Sequence, residues 1–452
     1  MALNRTLLQN GCVITVDKEL GNFRRADVLI EGAKIAAIGP DLGAADAEVI
    51  DASNMIVMPG FIDTHRHIWE GILRNISADG ILANYFPDVL GGCAPVYRPE
   101  DAYAGDLIGT LGAIDAGVTT ILDWSHIQNT PDHADAVIRA LQETGIRAVF
   151  AYGNPNTSLP DWWYNSSLNH PEDIRRLRTQ YFSSDDQLLT LALAPRGPEF
   201  TTMEVVRHDW ALAREVGAPI TVHVGVSVYG FSGGIKNMHA EGLLGPDTTY
   251  IHCSTLSDDE LRFIVDTGGT FSISTAVEMQ MQHGMPPLDR ILRLGARPSL
   301  SVDVETNVSG DMFGQMRSAL QCQRAQVNQR ALYGGSFEGE NLVTVKDVLE
   351  FATIDGARTV GLAHKTGSLT PGKEADIIML RTDLLNVFPV KDPVGAVVTC
   401  ADTSNVDSVF IAGRAMKRNG QMLNVDLDRA RRLAIESRDY VVAKAGFTLP
   451  AF

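Results

Sequence analysis

Two histidines one residue apart, His65 and His67, are the residues whose type and spacing most clearly suggest chemistry. They end a short strand-like segment that follows the apolar run 55–58 and a Pro59-Gly60 break. Residues i and i+2 of an extended strand share one face, so the two imidazoles would point to the same place. Nitrogen ligands arranged in this way suit a divalent metal ion. Taken alone, the pair fits a surface loop equally well.

Three further metal-capable side chains close other apolar runs, namely His223, His252 and Asp303. For any single histidine, a hydrogen-bonded core or rim position is the better explanation. Such residues at four of eight predicted strand ends instead indicate a catalytic site at the carboxyl end of a barrel. Three imidazoles and one carboxylate would leave a coordination position open for water, as a catalytic metal requires.

The elements that must position these residues are eight short apolar runs, which alternate with helical stretches between about residues 60 and 360. Besides the segment before His65, the runs are 119–123, 148–152, 188–193, 219–223, 249–252, 270–274 and 299–303. Intervening segments carry helical periodicity and several end in glycine. The pattern predicts an α/β fold, a (β/α)8 TIM barrel that forms a catalytic domain over residues 59–364.

Short strands before and after the barrel predict a second, smaller domain. Runs 7–16, 26–32 and 34–39 are separated by glycine and asparagine turn signals. Runs 375–380, 395–399 and 406–414 suggest more strands, and residues 426–445 suggest a closing helix. The first strands are too few to bury a sheet by themselves. We therefore predict a composite β-sandwich domain, with a C-terminal helix, built from residues 1–58 and 365–452.

Composition excludes several classes of partner. A formal net charge of −17 argues against nucleic acid or an anionic membrane surface. The five cysteines are scattered without paired spacing, which favours reduced thiols in the cytosol. Neither a signal peptide nor a run of 18 apolar residues is present in the sequence. We expect a cytoplasmic protein with a small-molecule substrate and without a nucleic-acid or membrane partner.

Four segments carry a family resemblance that covers nearly the whole chain. They are the Pro59–His67 segment, the stretch 251–261, the strand end Ser301-Val302-Asp303 and the stretch 366–376, which is a structural marker. With these motifs the chain resembles the amidohydrolase superfamily, on the branch of cytosine/adenosine-deaminase-like metal-dependent hydrolases. Relatives on this branch include S-adenosylhomocysteine deaminases, guanine and 8-oxoguanine deaminases, and triazine hydrolases.

The resemblance implies a ligand set and a metal. It implies that His65, His67, His223 and Asp303 bind the metal, and that His252 faces the metal-bound water or the substrate. The predicted strand 188–194 contains no lysine, so a carboxylated lysine that bridges two metals has no candidate. We therefore expect one divalent ion, Zn²⁺ or alternatively Fe²⁺. Family habit also implies a homo-oligomer, either a dimer or a tetramer.

One position departs from the family pattern. Deaminases of this branch usually place a glutamate three residues after the strand-5 histidine, where it protonates the ring nitrogen beside the attacked carbon. Here that position is Val226, and an apolar side chain cannot transfer a proton. Either another residue supplies the acid, or the substrate needs no ring protonation.

Polar residues on other strand-end loops are candidates for the acid and for substrate contacts, although each could also be a solvated loop residue. They are Glu70, His126, Glu278, His283, Glu305 and Asn307. We assign Glu278 to catalysis with Asp303 and His252, and we assign Trp69, Glu70, His126, His283 and Glu305 to substrate binding. Further aromatic residues could line a pocket for a planar ligand, namely Tyr85, Phe86, Trp124, Trp162 and Trp163.

The leading hypothesis is a metal-dependent aminohydrolase that deaminates a nitrogen heterocycle such as a purine, pterin or triazine. The alternative is a hydrolase of the same fold that cleaves another C–N bond, in an amide, lactam or amidine, for which Val226 is no handicap. In a scaffold protein that had lost catalysis, some of the metal-binding residues would have been replaced, whereas all of them are present in this sequence.

Overall fold

The computed structural model describes residues 5–43, 46–337 and 343–447. The chain forms two compact units. The first comprises Met1–Thr64, Gly112–Thr120 and Asp311–Val425, and the second comprises His65–Leu111, Ile121–Gly310 and Asp426–Phe452. The C-terminal helix thus belongs to the second unit. These bounds differ from the domain boundaries given above, which stay a prediction.

A nine-stranded mixed sheet in the first unit is built from both ends of the chain. Its strands are β1 (Arg5–Val13), β2 (Phe23–Glu31), β3 (Lys34–Gly39), β4 (Glu48–Asp51), β5 (Met55–Pro59), β14 (Ile377–Arg381), β15 (Val406–Ile411), β16 (Arg414–Arg418) and β17 (Gln421–Met422). The order is β17-β16-β15-β14-β5-β1-β2-β3, with β4 beside β1. The antiparallel pairing of β5 with β14 joins the two chain ends, with Met58 opposite Ile378. The predicted composite sheet is confirmed.

One predicted strand of this region, 395–399, is wrong. The segment belongs to a helix, Pro393–Thr399. Its five apolar or small residues fit a buried helix turn as well as a strand, because so short a run carries no readable period. Pro393 at the first helical position, directly after Asp392, favours the helix.

Eight parallel strands form the barrel sheet, in sequence order around the sheet. They are β6 (Phe61–Arg66), β7 (Val118–Ser125), β8 (Arg147–Tyr152), β9 (Leu189–Leu193), β10 (Ile220–Val224), β11 (Thr248–His252), β12 (Thr270–Ile273) and β13 (Ser299–Leu300). The predicted barrel is confirmed, although its last strand is shorter than expected. The barrel closes just beyond β13, where Asp303 forms a parallel bridge with Arg66.

Fifteen α-helices lie within the described ranges. They are α1 (Leu82–Tyr85), α2 (Pro99–Asp115), α3 (Pro131–Thr144), α4 (Leu159–Trp163), α5 (Ile174–Gln180), α6 (Met203–Glu215), α7 (Gly234–Ala240), α8 (Asp258–Asp266), α9 (Thr275–Gln280), α10 (Leu288–Arg293), α11 (Met312–Tyr333), α12 (Val345–Phe351), α13 (Ile354–Thr359), α14 (Pro393–Thr399) and α15 (Leu427–Ala445). Among these described helices, none is both long and apolar enough to cross a membrane.

A close helix contact fixes the segment that follows the histidine pair. The 3₁₀ helix Ile68–Leu73 begins directly after His67 and is fully buried. Gly71 of this helix faces Gly105 of α2, and a Cβ at Gly71 would lie 2.5 Å from the Gly105 carbonyl oxygen. A Cβ at Gly105 would overlap the carbonyl group of Trp69. The two backbones can approach this closely only because neither residue carries a side chain.

Candidate active site

Four imidazoles and one carboxylate converge at the carboxyl end of the barrel strands. Asp303 lies at the centre, with its Oδ1 3.0 Å from His65 Nε2 and 3.4 Å from His67 Nε2. Its Oδ2 lies 3.7 Å from His252 Nε2, and His223 Nε2 lies 3.1 Å from His65 Nε2. All five side chains are buried. The strand-end residues singled out from the sequence therefore form one cluster.

The donor atoms of the cluster are spaced as ligands of one metal ion. Adjacent nitrogen and oxygen ligands bound to zinc at about 2.0–2.1 Å lie about 2.8–3.0 Å apart in octahedral and about 3.3–3.4 Å apart in tetrahedral arrangements. One donor atom from each of His65, His223, His252 and Asp303 lies within 4.8 Å of the others. His67 adds a fifth donor atom beside Asp303. Buried imidazole and carboxylate donors in this number fit a divalent metal ion.

The backbone around His67 fixes which of its nitrogens can bind a metal. Nδ1 of His67 donates a hydrogen bond to the Trp124 carbonyl oxygen over 2.7 Å. The proton therefore resides on Nδ1, and the lone pair of Nε2 points toward Asp303. Burial, with the neighbouring His65 adding to it, lowers the pKa of His67 to about 3, which keeps the ring neutral. A neutral, oriented imidazole is the form that binds a metal.

A carboxylate orients His252 from behind. Nδ1 of His252 donates to Glu278 Oε1 over 3.2 Å, and the same oxygen accepts a 2.8 Å hydrogen bond from the Ser274 amide. Burial would lower the pKa of His252, but the hydrogen bond to Glu278 and the charge of Asp303 raise it above its usual value. Glu278 thus contacts His252, and its assignment to catalysis stays a prediction.

Two residues of the cluster have strained backbone conformations. His252 and Asp303 adopt left-handed conformations, with φ of 69° and 73°. L-residues other than glycine and asparagine seldom do so, and the conformation persists only where surrounding contacts hold it. For Asp303 those contacts are two backbone hydrogen bonds. Its amide donates to the His65 carbonyl oxygen over 2.9 Å, and its carbonyl oxygen accepts from the His67 amide over 2.8 Å.

An apolar pocket opens onto the cluster, and its empty space, including the part open to solvent, is about 440 Å³. Its walls are aliphatic and aromatic, with a few polar side chains. Outside the metal-capable cluster the lining residues are Leu82, Tyr85, Phe86, Leu90, His126, Trp163, Phe200, Val226, Met281, His283 and Val304. The predicted wall residues Tyr85, Phe86 and Trp163 lie here. Val226 is 4% exposed and forms part of the apolar wall.

A buried chain of polar side chains lies beside the pocket. Trp69 Nε1 donates to His126 Nδ1 over 3.0 Å, and Tyr85 Oη donates to Glu70 Oε1 over 2.5 Å. Tyr85 Oη and His126 Nε2, 3.5 Å apart, link the two pairs. Burial raises the pKa of Glu70 well above its usual value, with the charge of Asp303 adding to the effect. Of the residues predicted to bind substrate, His126 and His283 line the pocket, whereas Trp69 and Glu70 lie behind its wall.

Other sequence candidates have partners away from the pocket. Glu305 accepts two 3.1 Å hydrogen bonds from Arg74, and its contact with substrate stays a prediction. The Asn307 amide donates to the Gly80 carbonyl oxygen over 3.2 Å. Trp162 packs under the Arg196 guanidinium, and Trp124 donates to the Thr221 carbonyl oxygen over 3.0 Å. These residues organise loops and strand ends around the site.

Glu199 is a partly buried carboxylate that sequence reasoning missed. It follows β9 and accepts hydrogen bonds from the amides of Gly225 and Val226, the latter over 3.3 Å. Burial raises the pKa of Glu199 to about 7. Glu199 thereby fixes the backbone of the loop that follows His223. The sequence signal that could have identified Glu199 is its position shortly after a predicted barrel strand, because polar residues that follow these strands shape the site.

Comparison with known proteins places this geometry in a family. The Amidohydrolase family model matches residues 56–416. A 5'-deoxyadenosine deaminase of Methanothermobacter thermautotrophicus is 28% identical over 414 residues, 89% of this chain and 92% of the relative. A 5-methylthioadenosine/S-adenosylhomocysteine deaminase of Symbiobacterium thermophilum is 25% identical over 426 residues, 91% and 93% of the two chains.

Solved structures share the fold. An atrazine chlorohydrolase from Arthrobacter aurescens, complexed with zinc, superposes with a TM-score of 0.84 at 22% identity, covering 96% of this chain and 100% of the other. An adenosine deaminase from Xanthomonas campestris with bound zinc gives a TM-score of 0.83 at 18% identity, covering 98% and 99%. Residues 56–416, which the family model matches, include the whole barrel sheet and the cluster at its carboxyl end. The chain therefore belongs to the amidohydrolase family.

Proposed function

We propose that the protein is a metal-dependent aminohydrolase that removes an amino group from a nitrogen heterocycle. The observation that carries the proposal is the cluster around Asp303, which opens into an apolar pocket with aromatic walls. The deaminases named above, which are similar along nearly the whole chain, support the same class of reaction. We infer one metal ion, with zinc as the better candidate, because the aligned structures contain zinc.

His65, His67, His223 and Asp303 would hold the metal ion, with His252 beside it. When bound, a divalent metal supplies a nucleophile at neutral pH by lowering the pKa of a coordinated water. A second ion has no bridging lysine on β9, whose sequence is Leu-Thr-Leu-Ala-Leu.

The protein groups that would move protons are Asp303 and His252. The imidazoles of His65, His252 and His67 hold the pKa of Asp303 below its usual value despite burial. Asp303 therefore stays ionised and can accept a proton, which it can then pass to the departing amine. His252 is oriented by Glu278 and can donate a hydrogen bond to the group on the attacked carbon where negative charge develops.

The pocket walls favour a flat, weakly polar ring. Phe86 and Trp163 pack edge to face with centroids 5.7 Å apart, and Phe200 lies 5.2 Å from Trp163. These rings exclude water from the cluster and can stack on an aromatic substrate. A nitrogen heterocycle suits this surface better than a peptide or a sugar, which would bring many polar groups without partners.

A second function is favoured by Val226. Because this pocket residue cannot donate a proton, the enzyme could instead cleave an amide, lactam or amidine, whose attacked carbon needs no ring protonation. The same cluster would serve this reaction.

A substrate panel separates the two functions. Purified protein loaded with zinc is assayed for ammonia with adenine, 5'-deoxyadenosine, guanine, a pterin and 2-amino-1,3,5-triazine, and for amide or lactam cleavage with hydantoin and acetanilide. We expect ammonia from at least one heterocycle. Cleavage confined to the amide and lactam substrates would overturn the proposal and establish the second function. Failure on both sets would contradict both functions.

A further inference from the structure

His283 is held rigidly in the pocket wall by its own backbone. Its amide donates to the Glu278 carbonyl oxygen over 3.1 Å, and its carbonyl accepts from the Ser227 amide over 2.8 Å. The second bond ties His283 to the loop that carries Val226, so both residues belong to the same side of the pocket. The ring stands edge-on to His252, with centroids 4.6 Å apart at 90°. The imidazole thus lies beside the cluster and faces the pocket.

The ring nitrogens of His283 have no hydrogen-bond partner among the described residues, although the residue is only 4% exposed. Leaving a buried polar group unpaired costs about 1–3 kcal/mol, so such groups usually have a partner. The other polar side chains of the wall are already engaged. His126 accepts from Trp69, and Tyr85 donates to Glu70. Outside the metal-capable cluster, His283 is the described wall residue whose ring nitrogens both lack a protein partner, so both are available to a ligand.

The chemistry of an imidazole defines what it could bind. A neutral ring presents one N–H donor and one nitrogen acceptor, whereas Val226 beside it presents neither. A heteroaromatic ring nitrogen is an acceptor that an N–H can match. Because His283 adjoins His252 and the cluster, the matching nitrogen would be the one next to the carbon under attack.

We propose that His283 hydrogen-bonds to the ring nitrogen adjacent to the attacked carbon and so selects aromatic substrates that carry nitrogen at that position. The inference rests on the proposed function, because it assumes a heterocyclic substrate in this pocket. It assigns to His283 the recognition of the ring edge, a task that the apolar side chain at position 226 cannot perform.

The test compares ligand pairs that differ in one ring nitrogen. Adenine is paired with 1-deazaadenine, and aminopyrazine with 3-aminopyridine, so that the second member of each pair has carbon on both sides of the amino-bearing carbon. Dissociation constants are measured by calorimetry with the zinc-loaded protein. We expect the wild-type protein to bind the nitrogen-rich member of a pair about 10- to 100-fold more tightly. His283→Phe, which keeps a flat ring but loses both nitrogens, should abolish this preference. His283→Gln, which retains a donor, should restore part of it.

Two measurements exclude a merely structural role for His283. Metal content should be the same in His283→Phe as in the wild-type protein, and the thermal midpoint should be equal or higher, because the variant removes two buried polar atoms that lack partners. His239→Phe is the matched control, because exposed His239 stacks on Phe263 with centroids 3.9 Å apart and a phenyl ring preserves that stacking. It should retain the ligand preference.

The outcomes separate this inference from the proposed function. An unchanged ligand preference in His283→Phe, or equal weakening of both members of a pair, overturns the role of His283. Tight, nitrogen-dependent binding without release of ammonia supports the role of His283 and contradicts the aminohydrolase. Absence of binding by all four ligands contradicts both.

Discussion

His65 and Asp303 are joined twice, once through their side chains and once through their backbones. Nε2 of His65 lies 3.0 Å from Asp303 Oδ1, and the Asp303 amide donates to the His65 carbonyl oxygen over 2.9 Å. The residues are 238 positions apart in the sequence. The same contact therefore closes the barrel and assembles the cluster, which makes the site sensitive to any change that separates these strand ends.

Removal of the metal should abolish activity and lower stability together. A ligand present at 100 times its dissociation constant stabilises the folded state by about 2.7 kcal/mol. Dialysis against a chelator should therefore lower the thermal midpoint by several degrees, and added Zn²⁺ should restore it. Calorimetry with parallel metal analysis measures the effect. A stripped protein with unchanged midpoint and activity would contradict the metal site.

Substitution of Asp303 by asparagine should impair metal binding and proton acceptance, the two roles proposed for this residue. The change keeps the size of the side chain but removes its charge, so metal affinity and proton acceptance both suffer. We expect kcat to fall by at least about 100-fold, the lower range for loss of a general base. Steady-state kinetics at saturating Zn²⁺ measures the catalytic part. Asp311→Asn, at the N-cap of α11, is the control and should retain its activity. Equal kcat in Asp303→Asn and wild type would remove Asp303 from the mechanism.

Glu278→Gln should slow the reaction with little effect on substrate affinity. The amide weakens the charge-assisted hydrogen bond that orients His252, and loss of such a supporting contact typically costs about 10- to 100-fold. We expect the loss in kcat, with KM nearly unchanged. Glu204→Gln, on the exposed first turn of α6, provides the matched control. A rise in KM at constant kcat would instead make Glu278 a substrate contact.

A buried pair of carboxyl groups should make stability fall with rising pH. Asp106 on α2 and Asp123 on β7 are fully buried and face each other. Burial and then the charge of the neighbouring Asp123 raise the pKa of Asp106 well above its usual value. Burial raises the pKa of Asp123 to about 7. Their stabilisation is complete below the unfolded-state pKa of about 3.9 and is lost as pH rises through the folded-state values.

Asp106→Asn should reduce this pH dependence. The variant keeps a hydrogen-bonding partner for Asp123 without the second ionisable group. When a group releases a proton on unfolding, each unit of pH increase lowers the free energy of unfolding by about 1.4 kcal/mol. The stability of Asp106→Asn relative to the wild-type protein should therefore rise between pH 5 and pH 9. Urea unfolding at pH 5, 7 and 9 measures the difference. Parallel pH profiles of the two proteins would contradict the raised pKa of Asp106.

Gly105→Ala should destabilise the protein and disturb the segment after His67. The new methyl group would overlap the Trp69 carbonyl group, which is rigid backbone. Such overpacking typically costs about 1–3 kcal/mol. Gly43→Ala is a suitable control, since a Cβ there meets no atom within 4 Å. Urea unfolding should separate the two variants, and equal stability would show that the helices can move apart.

The sequence predicted the barrel well because its signals are local. Each strand is a short apolar run, and the metal-capable residues stand at the run ends. The helix Pro393–Thr399 was missed because a five-residue apolar run is compatible with either period. The proline that begins this helix was the signal that deserved more weight.

The surroundings of the cluster could not be predicted in the same way, because they depend on contacts between distant loops. Glu305 follows Asp303 closely, yet its partner is Arg74, 231 residues away. Glu199 bonds to amides 26 and 27 residues further along the chain. No spacing rule connects such pairs. The ring nitrogens of His283 became informative only when the structure showed that no described residue is their hydrogen-bond partner.

Barrel closure at Asp303 also has a consequence for how the protein matures. Asp303 follows the eighth strand, so a chain that has folded only through its fifth strand holds His65, His67 and His223 but lacks the carboxylate. Tight metal binding would then have to await the meeting of the first and last strands, where His65 and Asp303 are 238 residues apart in the sequence. Metal uptake during refolding would accordingly trace the final step of assembly rather than its nucleation.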